Sequence, residues 1–270
     1  MTSKQWQLAN DAALRYQEIA VPSILGPFAE ALVNHAKLAK AHTVVEVGCG
    51  TGAATYFAAE RVGASGRVIG TDVNEAMLSV AGSLPSSGGA SIEWRQESAT
   101  ALSMEDDSVD AVLCAQALQF VAERQQALSE MCRILKAGQS AYISLWCDVT
   151  ESPYFDTLLN TIAEHIGEDT ATGLRSAFTL SELKDIQTMM DSTQFSHFEI
   201  SVSELVLKLP PIEEFVPQHI QATPLRAGYN AASATTQQTM LNQMSELLRK
   251  YRSDSGVDIP FRTYLIKATK

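Results

Sequence analysis

The stretch Val44-Val45-Glu46-Val47-Gly48-Cys49-Gly50-Thr51-Gly52 decides the fold, because an apolar run of strand length ends in three glycines at alternating positions. Such a run is typical of a buried parallel strand, and the residues that follow are compatible with a helix. Glycines at a strand end let the backbone turn sharply and let a ligand approach main-chain N–H groups, to which the helix N-terminus adds further donors. The stretch therefore predicts a nucleotide-binding loop between a first strand and a first crossover helix.

Strand-like and helix-like blocks alternate from Lys40 to about Trp146, which favours a parallel sheet with crossover helices. We predict strands at 43–47, 67–71, 91–95, 109–114 and 140–146, followed later by strands at 197–209 and 262–269. Helices are predicted at 51–61, 74–83, 124–135 and 180–190, and turns at 63–66, 85–89 and 136–138. The hydroxyl of Thr179 or Ser181 is expected to begin the helix at 180–190. The pattern indicates an α/β fold with seven mostly parallel strands and helices on both faces.

Two helical segments are expected outside this alternation. Residues 1–38 look helical, with Pro22 and Pro27 breaking the run into pieces, and we interpret them as an N-terminal helical lid. About 50 residues separate the last two strands, which is too long for a hairpin loop. Within a domain spanning 39–270 we interpret about 210–258 as a helical cap inserted before the last strand; the alternative is a helical decoration remote from the site.

The glycine-rich loop fits two kinds of nucleotide. Gly48-x-Gly50-x-x-Ala53 satisfies the dinucleotide fingerprint, and Asp72 follows at the distance of a ribose-binding carboxylate, so NAD stays open on those positions. Glu46 before the first glycine and Gly52 as a third glycine give E-x-G-x-G-x-G instead. This pattern resembles motif I of the class I S-adenosylmethionine (SAM) methyltransferases. In that family the acid anchors the loop and orders contacts to the methionine end, and the glycines leave room for one nucleoside without pyrophosphate.

Two further blocks resemble the adenosine-binding part of the same family. Asp72 ends the second strand, where its carboxylate can take both ribose hydroxyls, with Val73 against the adenine face. Met77 in the next helix is either an apolar wall to the ring or a core methionine. At the third strand end the family's usual Asp is Ser98 here. We expect adenine selectivity to rest on the Ala99 N–H, with Glu97 as a second candidate.

A fourth block, residues 107–120 followed by 130–138, is similar to the ubiquinone/menaquinone methyltransferase branch, which acts on small molecules. The resemblance covers roughly residues 25–150 and implies a Rossmann-like, SAM-dependent methyltransferase. Gln116 and Gln119 are candidates to bind substrate or the methionine carboxylate, or they cap the next helix. The cofactor contacts expected from these blocks are Glu46, Gly48, Cys49, Gly50, Gly52, Asp72, Val73, Met77, Ser98, Ala99, Cys114, Gln116 and Gln119. Tyr16 is expected to touch the cofactor carboxylate if the N-terminal lid closes; the alternative is a packed surface tyrosine.

Methyl transfer from SAM is an in-line displacement on an activated sulfonium, so the protein mainly has to position the nucleophile. A general base is needed only for a protonated nucleophile. Among His165, His197 and His219 we prefer His219 as the base, because it lies in the expected cap. The rivals are a SAM-fold protein without methylating activity, such as a cyclase or binder, and an NAD-dependent oxidoreductase.

Composition narrows the partners and the compartment. The 270 residues carry a net charge of −11 without a basic run, and no N-P-P-Y or D-P-P-Y tetrapeptide follows the fourth strand. Both observations disfavour nucleic acid and favour a small, partly apolar organic acceptor. The four cysteines form no C-x-x-C pair, so we expect free thiols and no zinc. Without a signal-peptide core or an apolar run of membrane-spanning length, we expect a cytoplasmic protein without membrane insertion. The oligomeric state is not readable from the sequence.

Overall fold

The computed structural model describes residues 10–85 and 88–270. The strands among these residues are β1 (Thr43–Val47), β2 (Arg67–Asp72), β3 (Ser91–Gln96), β4 (Val109–Ala115), β5 (Leu135–Trp146), β6 (His197–Leu209), β7 (Arg252–Ser253) and β8 (Gly256–Thr269). They form one sheet in the order β3-β2-β1-β4-β5-β8-β6, and the short β7 pairs with β8. Pairs among β1 to β5 are parallel, whereas β8 is antiparallel to β5 and β6. The predicted α/β class with a mostly parallel sheet is confirmed.

Helices cover both faces of this sheet. They are α1 (Asn10–Arg15), a π-helix (Tyr16–Leu25), α2 (Gly26–His35), α3 (Ala53–Val62), α4 (Glu75–Ser83), α5 (Arg124–Ile134), α6 (Pro153–His165), α7 (Glu168–Arg175), α8 (Leu183–Asp191), α9 (Ile212–Gln221), α10 (Arg226–Ala231) and α11 (Ala234–Leu247). Because side chains alternate along a strand, Val44 packs into a core with α2 and α3, whereas Val45 packs into a second core with α5 and α8.

The chain order reverses between β1 and β4, which lie side by side in the sheet. From β1 the chain moves outward through β2 to β3, and then β4 and β5 continue on the other side. The carboxyl ends of β1 and β4 therefore flank a crevice at the switch point, where open α/β sheets bind ligands. A third hydrophobic core, rich in aromatic residues and formed by α6, α7, α9 and α11, packs beside this crevice.

The last strand is six residues longer than predicted. β8 begins at Gly256 rather than at 262, and Pro260 lies within it, opposite Val206 of β6. Proline has no N–H to donate to a ladder. It is tolerated here because pairing with β5 begins only at Thr263, so Pro260 has a strand neighbour on one side alone. The excursion between β6 and β8 accordingly comprises residues 210–255.

Three local expectations were wrong. The turn predicted at 136–138 is a bulge inside β5, where pairing passes from Val109↔Leu135 to Ala111↔Ser140 and Gly138 takes φ +74°. The helix predicted at 180–190 begins at Leu183 after Glu182, without a side-chain cap from Thr179 or Ser181. Helical residues run without a break from 10 to 35, because the wider π-helix accommodates Pro22, and Pro27 lies in the first turn of α2. Residues 1–9 of the expected lid, and Ser86 and Ser87 of the turn predicted at 85–89, lie outside the described residues.

Candidate active site

A cavity opens at the carboxyl ends of β1 and β4 and extends under the helices of the aromatic-rich core. One side, which we name the loop half, is formed by Glu46, the loop 48–51, residues 72–74, Met77, and residues 97–100, 114–117 and 119. The other side, which we name the aromatic half, includes Ile24, Trp146, Phe155, Phe178, His219 and Thr223. Of the residues predicted for the site, the cavity lining includes Tyr16, Glu46, Gly48, Cys49, Gly50, Asp72, Val73, Met77, Ser98, Ala99, Cys114, Gln116, Gln119 and His219.

The glycines of the loop have different roles. Gly48 has φ +70°, and a Cβ there would lie 2.5 Å from the Cβ of Ala117, so only glycine fits between β1 and the end of β4. Gly50 also has positive φ, but a Cβ would meet only Tyr16, whose hydroxyl oxygen would lie at 3.9 Å. Gly52 is the N-cap of α3, and a Cβ there would clash with the Trp94 ring. The absence of a Cβ at Gly52 thus lets α3 pack against Trp94, and the expected contact of Gly52 with a ligand stays a prediction.

Two carboxylates shape the loop half. One Asp72 oxygen accepts the N–H of Gly50 at 2.8 Å, and the other accepts the N–H of Asn74 at 2.8 Å. The buried carboxyl of Glu46 accepts a hydrogen bond from the hydroxyl of Thr55 on α3. Burial raises the pKa of Glu46 to about 8, and burial also raises the pKa of Asp72 above its usual range. Both acids thus help to hold the loop, and Glu46 is protonated for much of the time near neutral pH.

Three backbone amides of the glycine-rich loop donate hydrogen bonds to acceptors within the protein. The N–H of Cys49 donates to the carbonyl of Thr71 at 2.9 Å, and that of Gly52 donates to the carbonyl of Cys49 at 2.8 Å. The N–H of Gly50 is taken by Asp72. The charged side chains that line the described cavity are Glu46, Asp72, Glu97 and Glu123, with neither lysine nor arginine among them. This arrangement suits a cationic ligand better than a pyrophosphate, which needs free N–H donors.

Two glutamines at the end of β4 hold polar atoms without a partner. Gln116 has φ +52°, an unusual conformation for a residue with a Cβ, and neither its amide nitrogen nor its oxygen has a partner among the described residues. The Gln119 amide nitrogen donates to the Gln116 carbonyl at 2.9 Å, while its oxygen is unpartnered and buried. Neither side chain caps α5. These buried side-chain atoms are therefore available to hydrogen-bond a bound ligand or an ordered water.

Ser98 and Glu97 of the loop half already have hydrogen-bond partners within the protein. Ser98 bonds to the side chain and amide of Thr100 at 2.8 and 3.2 Å, and Glu97 accepts from the amide and hydroxyl of Ser103 at 3.0 and 2.5 Å. Burial, reinforced by the charges of Asp72 and Glu46, raises the pKa of Tyr16 far above its usual value, so its phenol stays protonated beside the loop.

The aromatic rings of the aromatic half were not predicted from the sequence, although His219 was. Trp146 at the end of β5 contacts Phe155 edge-on, with ring centroids 5.3 Å apart, and Phe178 at 6.2 Å. His219 on α9 stacks on Phe215 at 5.4 Å and an interplanar angle of 9°. These residues are dispersed over β5, α6, a turn after α7 and α9, and no local motif joins them.

The three histidines weighed as bases occupy different places. His219 lines the cavity, with its Nδ1 2.8 Å from the hydroxyl of Tyr154. His165 bonds to Gln243 on α11, and His197 lies on the edge strand β6 near Glu199; neither lines the cavity. Geometry thus leaves His219 as the histidine that can touch a bound molecule.

Comparison with known proteins gives this arrangement a family context. Residues 44–138 match the model of a family described as a methyltransferase domain. A 2-phytyl-1,4-beta-naphthoquinone methyltransferase of Arabidopsis thaliana is 34% identical over 108 residues, which is 38% of this chain and 41% of that protein. The ubiquinone/menaquinone biosynthesis C-methyltransferase UbiE of Hahella chejuensis is 39% identical over 98 residues, 36% of this chain and 39% of that protein. The chain thus matches about two fifths of the length of these relatives.

A solved structure agrees with the fold over nearly the whole chain. Phosphoethanolamine N-methyltransferase 2 of Haemonchus contortus, solved with phosphomonomethylethanolamine and S-adenosylhomocysteine, is similar with a TM-score of 0.60. The similarity covers 98% of this chain and 58% of that one at 15% identity, and so shows the fold alone. The matches over residues 44–138 support the resemblance of this part of the chain to the class I SAM-dependent methyltransferases, and the solved structure agrees with them in fold alone. SAM is the cofactor of this class.

The residues of the loop half fit that cofactor. Acidic side chains without a lysine or arginine among them suit the net positive charge of SAM, and the unpartnered side-chain atoms of Gln116 and Gln119 can bind its polar methionine end. Asp72 retains acceptor capacity, since each of its oxygens has two lone pairs.

Across residues 10–85 and 88–270 the structure contains no helix with the length and apolarity that crossing a bilayer requires.

Proposed function

We propose that this protein transfers the methyl group of SAM to a small, partly apolar organic acceptor bound in the aromatic half. The observation that carries the proposal is the chemistry of the cavity lining. Four acidic side chains line the described cavity without a lysine or arginine, three of them besides the largely protonated Glu46, and the Gly50 amide is occupied by Asp72. A sulfonium cation is favoured by such a site, whereas the pyrophosphate of NAD is repelled.

The acceptor is inferred from the aromatic half. Trp146, Phe155 and Phe178 offer edges and faces to an apolar molecule, and His219 adds a polar group. Small-molecule sites commonly combine a mostly apolar wall with a few placed polar groups. The two relatives named above act on quinone-type molecules by their names, which agrees with an apolar acceptor but identifies none for this chain.

In the proposed mechanism the protein acts mainly by positioning SAM and the acceptor, and less by acid–base chemistry. SAM, when bound, supplies an already activated methyl group. We assign Asp72 to the ribose, Gln116 and Gln119 to the methionine end, and Val73, Met77, Ser98 and Ala99 to the adenine. The helices over the aromatic half exclude water and hold the acceptor. Such positioning can lower the barrier by about 7–11 kcal/mol.

Two further parts of the proposal concern architecture and compartment. The described part of the expected lid, residues 10–38, is assigned as a lid and the excursion 210–255 as a cap, since the cavity lining takes Tyr16, Ile24 and Leu25 from the first and His219, Ala222 and Thr223 from the second. We place the protein in the cytoplasm, because all four cysteines are free and buried. The acidic charge supports a small-molecule rather than a nucleic-acid partner.

Isothermal titration calorimetry with SAM, S-adenosylhomocysteine and NADH tests the cofactor assignment. We expect heat of binding from the first two and none from NADH at micromolar concentrations. Incubation with methyl-labelled SAM and a panel of small aromatic compounds then tests transfer. Formation of S-adenosylhomocysteine in equal amount to a labelled product supports the proposal. SAM binding without turnover over a broad panel would favour the non-methylating rival, and NADH binding without SAM binding would favour the oxidoreductase.

A further inference from the structure

A buried tyrosine and a histidine form a pair at the wall of the aromatic half. Tyr154 on α6 is fully buried, and its ring lies 5.4 to 5.8 Å from those of Phe155, Phe215 and Phe261. Its hydroxyl is 2.8 Å from Nδ1 of His219 on α9. The pair therefore joins a helix next to the sheet to a helix of the excursion, at the point where the excursion meets the cavity.

The surroundings of Tyr154 determine which atom carries the proton of the pair. A phenol is both donor and acceptor, and within the described residues His219 Nδ1 is the partner found for this one. If Nδ1 carried the proton, it would donate to the phenol oxygen and leave the phenol proton without an acceptor among aromatic rings. A buried donor left without an acceptor loses its hydrogen bonds to water with nothing in exchange. The phenol therefore donates, Nδ1 accepts, and the proton of the neutral imidazole resides on Nε2.

The imidazole is neutral under ordinary conditions, because burial lowers the pKa of His219 to about 4. With Nδ1 occupied, Nε2–H is the polar group that the ring can offer to a molecule in the cavity. The neighbouring Thr223 does not compete, since its hydroxyl donates to the carbonyl of Ile220 at 2.9 Å.

Resting on the proposed function, we propose that Tyr154 fixes His219 as a hydrogen-bond donor in the aromatic half, and that this donor selects acceptors carrying an oxygen or nitrogen lone pair beside an apolar ring. His219 then positions and polarises the acceptor. This role differs from that of the general base expected from the sequence, because a base needs an unprotonated Nε2. Tyr154 is a positioning residue, which acts through the tautomer of His219.

The tautomer is measured directly by long-range ¹H–¹⁵N correlation NMR on protein labelled with ¹⁵N-histidine. The signals of His219 are identified by their loss in His219→Phe. At neutral pH we expect the wild-type protein to show a protonated Nε2 and an unprotonated Nδ1. Tyr154→Phe removes only the phenol oxygen, and we expect it to produce a mixture of tautomers. A protonated Nδ1 in the wild-type protein would overturn the proposal.

Selection of the acceptor is tested with two probes of the same shape, acetophenone and α-methylstyrene, in which CH₂ replaces the carbonyl oxygen. The readout is the ratio of their dissociation constants, compared between wild type and His219→Phe, so that the unequal hydration of the probes cancels. One hydrogen bond predicts that this ratio shifts about three- to tenfold against acetophenone in the variant. Tyr154→Phe should give a smaller shift in the same direction.

An unchanged ratio, or binding of neither probe to the wild-type protein, would overturn the donor role. These outcomes are separate from the fate of the proposed function, because the probes are titrated without turnover. A protein that binds SAM but shows an unchanged ratio loses only the donor role. A protein that shifts the ratio but does not bind SAM loses only the methyltransferase proposal.

Discussion

The two halves of the cavity are built in opposite ways. In the loop half, polar groups hold one another over short distances along the chain or between adjacent strands, as Asp72 does with the amides of Gly50 and Asn74. In the aromatic half, rings from distant segments pack together and one long-range hydrogen bond joins Tyr154 to His219. The comparison teaches that the loop half is specified by local backbone geometry, whereas the aromatic half depends on how separate helices pack.

The largest effect is expected from Gly48→Ala. The variant adds positive-φ strain and a clash with the Cβ of Ala117, so we expect the free energy of unfolding to fall by about 2–5 kcal/mol and SAM binding to become undetectable. Urea unfolding and calorimetry measure the two effects. Gly138→Ala is the matched control, with φ +74° and nothing within 4 Å of the added Cβ. Its free energy of unfolding should fall by only about 1–2 kcal/mol, and its SAM affinity should be unchanged. Equal losses of stability in the two variants would show that the contact with the Cβ of Ala117 is unimportant.

Next in size is Asp72→Ala. Removal of a charge-assisted contact worth about 1.5–3 kcal/mol should weaken SAM binding about ten- to hundredfold in calorimetry. Because the amides of Gly50 and Asn74 also lose their acceptor, some loss of stability should accompany it. Asp110→Ala is the control, since Asp110 accepts the Thr43 amide at 2.8 Å but does not line the cavity. Unchanged SAM affinity in Asp72→Ala would reject the ribose assignment.

A smaller effect is expected in the pH dependence of stability. Since burial raises the pKa of Glu46 to about 8, the folded protein binds a proton there that the unfolded chain releases near pH 4.5. The stabilisation is fully present below pH 4.5 and is lost as pH rises through 8. As pH rises from 4.5 to 8, the free energy of unfolding of the wild type, measured in urea, should therefore fall relative to that of Glu46→Gln. Bound SAM should make this fall smaller than bound S-adenosylhomocysteine does, because S-adenosylhomocysteine lacks the sulfonium charge. A difference in unfolding free energy that does not vary with pH would contradict the raised pKa of Glu46.

The smallest effect is expected where the two halves are compared directly. His219→Phe alters the aromatic half but none of the hydrogen bonds of the loop half, so SAM affinity should stay within about twofold of wild type. The same calorimetry as for Asp72→Ala provides the measurement. A tenfold loss of SAM affinity would mean that the two halves of the cavity are energetically coupled and do not act independently.

The contrast also explains how much the sequence could predict. The alternation of strand-like and helix-like segments between Lys40 and Trp146 predicts the parallel part of the sheet, because β1, β2 and β4 contain short apolar runs and β3 alternates apolar with polar residues. Glu46, Gly48 and Asp72 are recognisable for the same reason, since each lies within such a strand or directly after it. The third glycine also meets a packing requirement that its spacing does not reveal, because the absence of a Cβ at Gly52 lets α3 pack against Trp94.

Long-range packing is what the sequence could not convey. Tyr154 and His219 are 65 residues apart, and no spacing rule links a tyrosine on α6 to a histidine on α9. Pro260 argues locally against a strand, yet it is accommodated because β5 does not pair with β8 at that point. The positive φ of Gln116 is likewise set by tertiary structure, as its residue type gives no such preference.

The pairing of β6 with β8 has a consequence for how such proteins diversify. The two strands stay in register up to Leu209↔Val257, so the ends of the excursion 210–255 are held together by the sheet itself. Doubling the length of a flexible connection costs only about 0.6 kcal/mol in closure entropy. A helical segment of different length or composition can thus replace this one during evolution while the glycine-rich loop remains intact, and the substrate range of an ancestor can change by exchange of one insert.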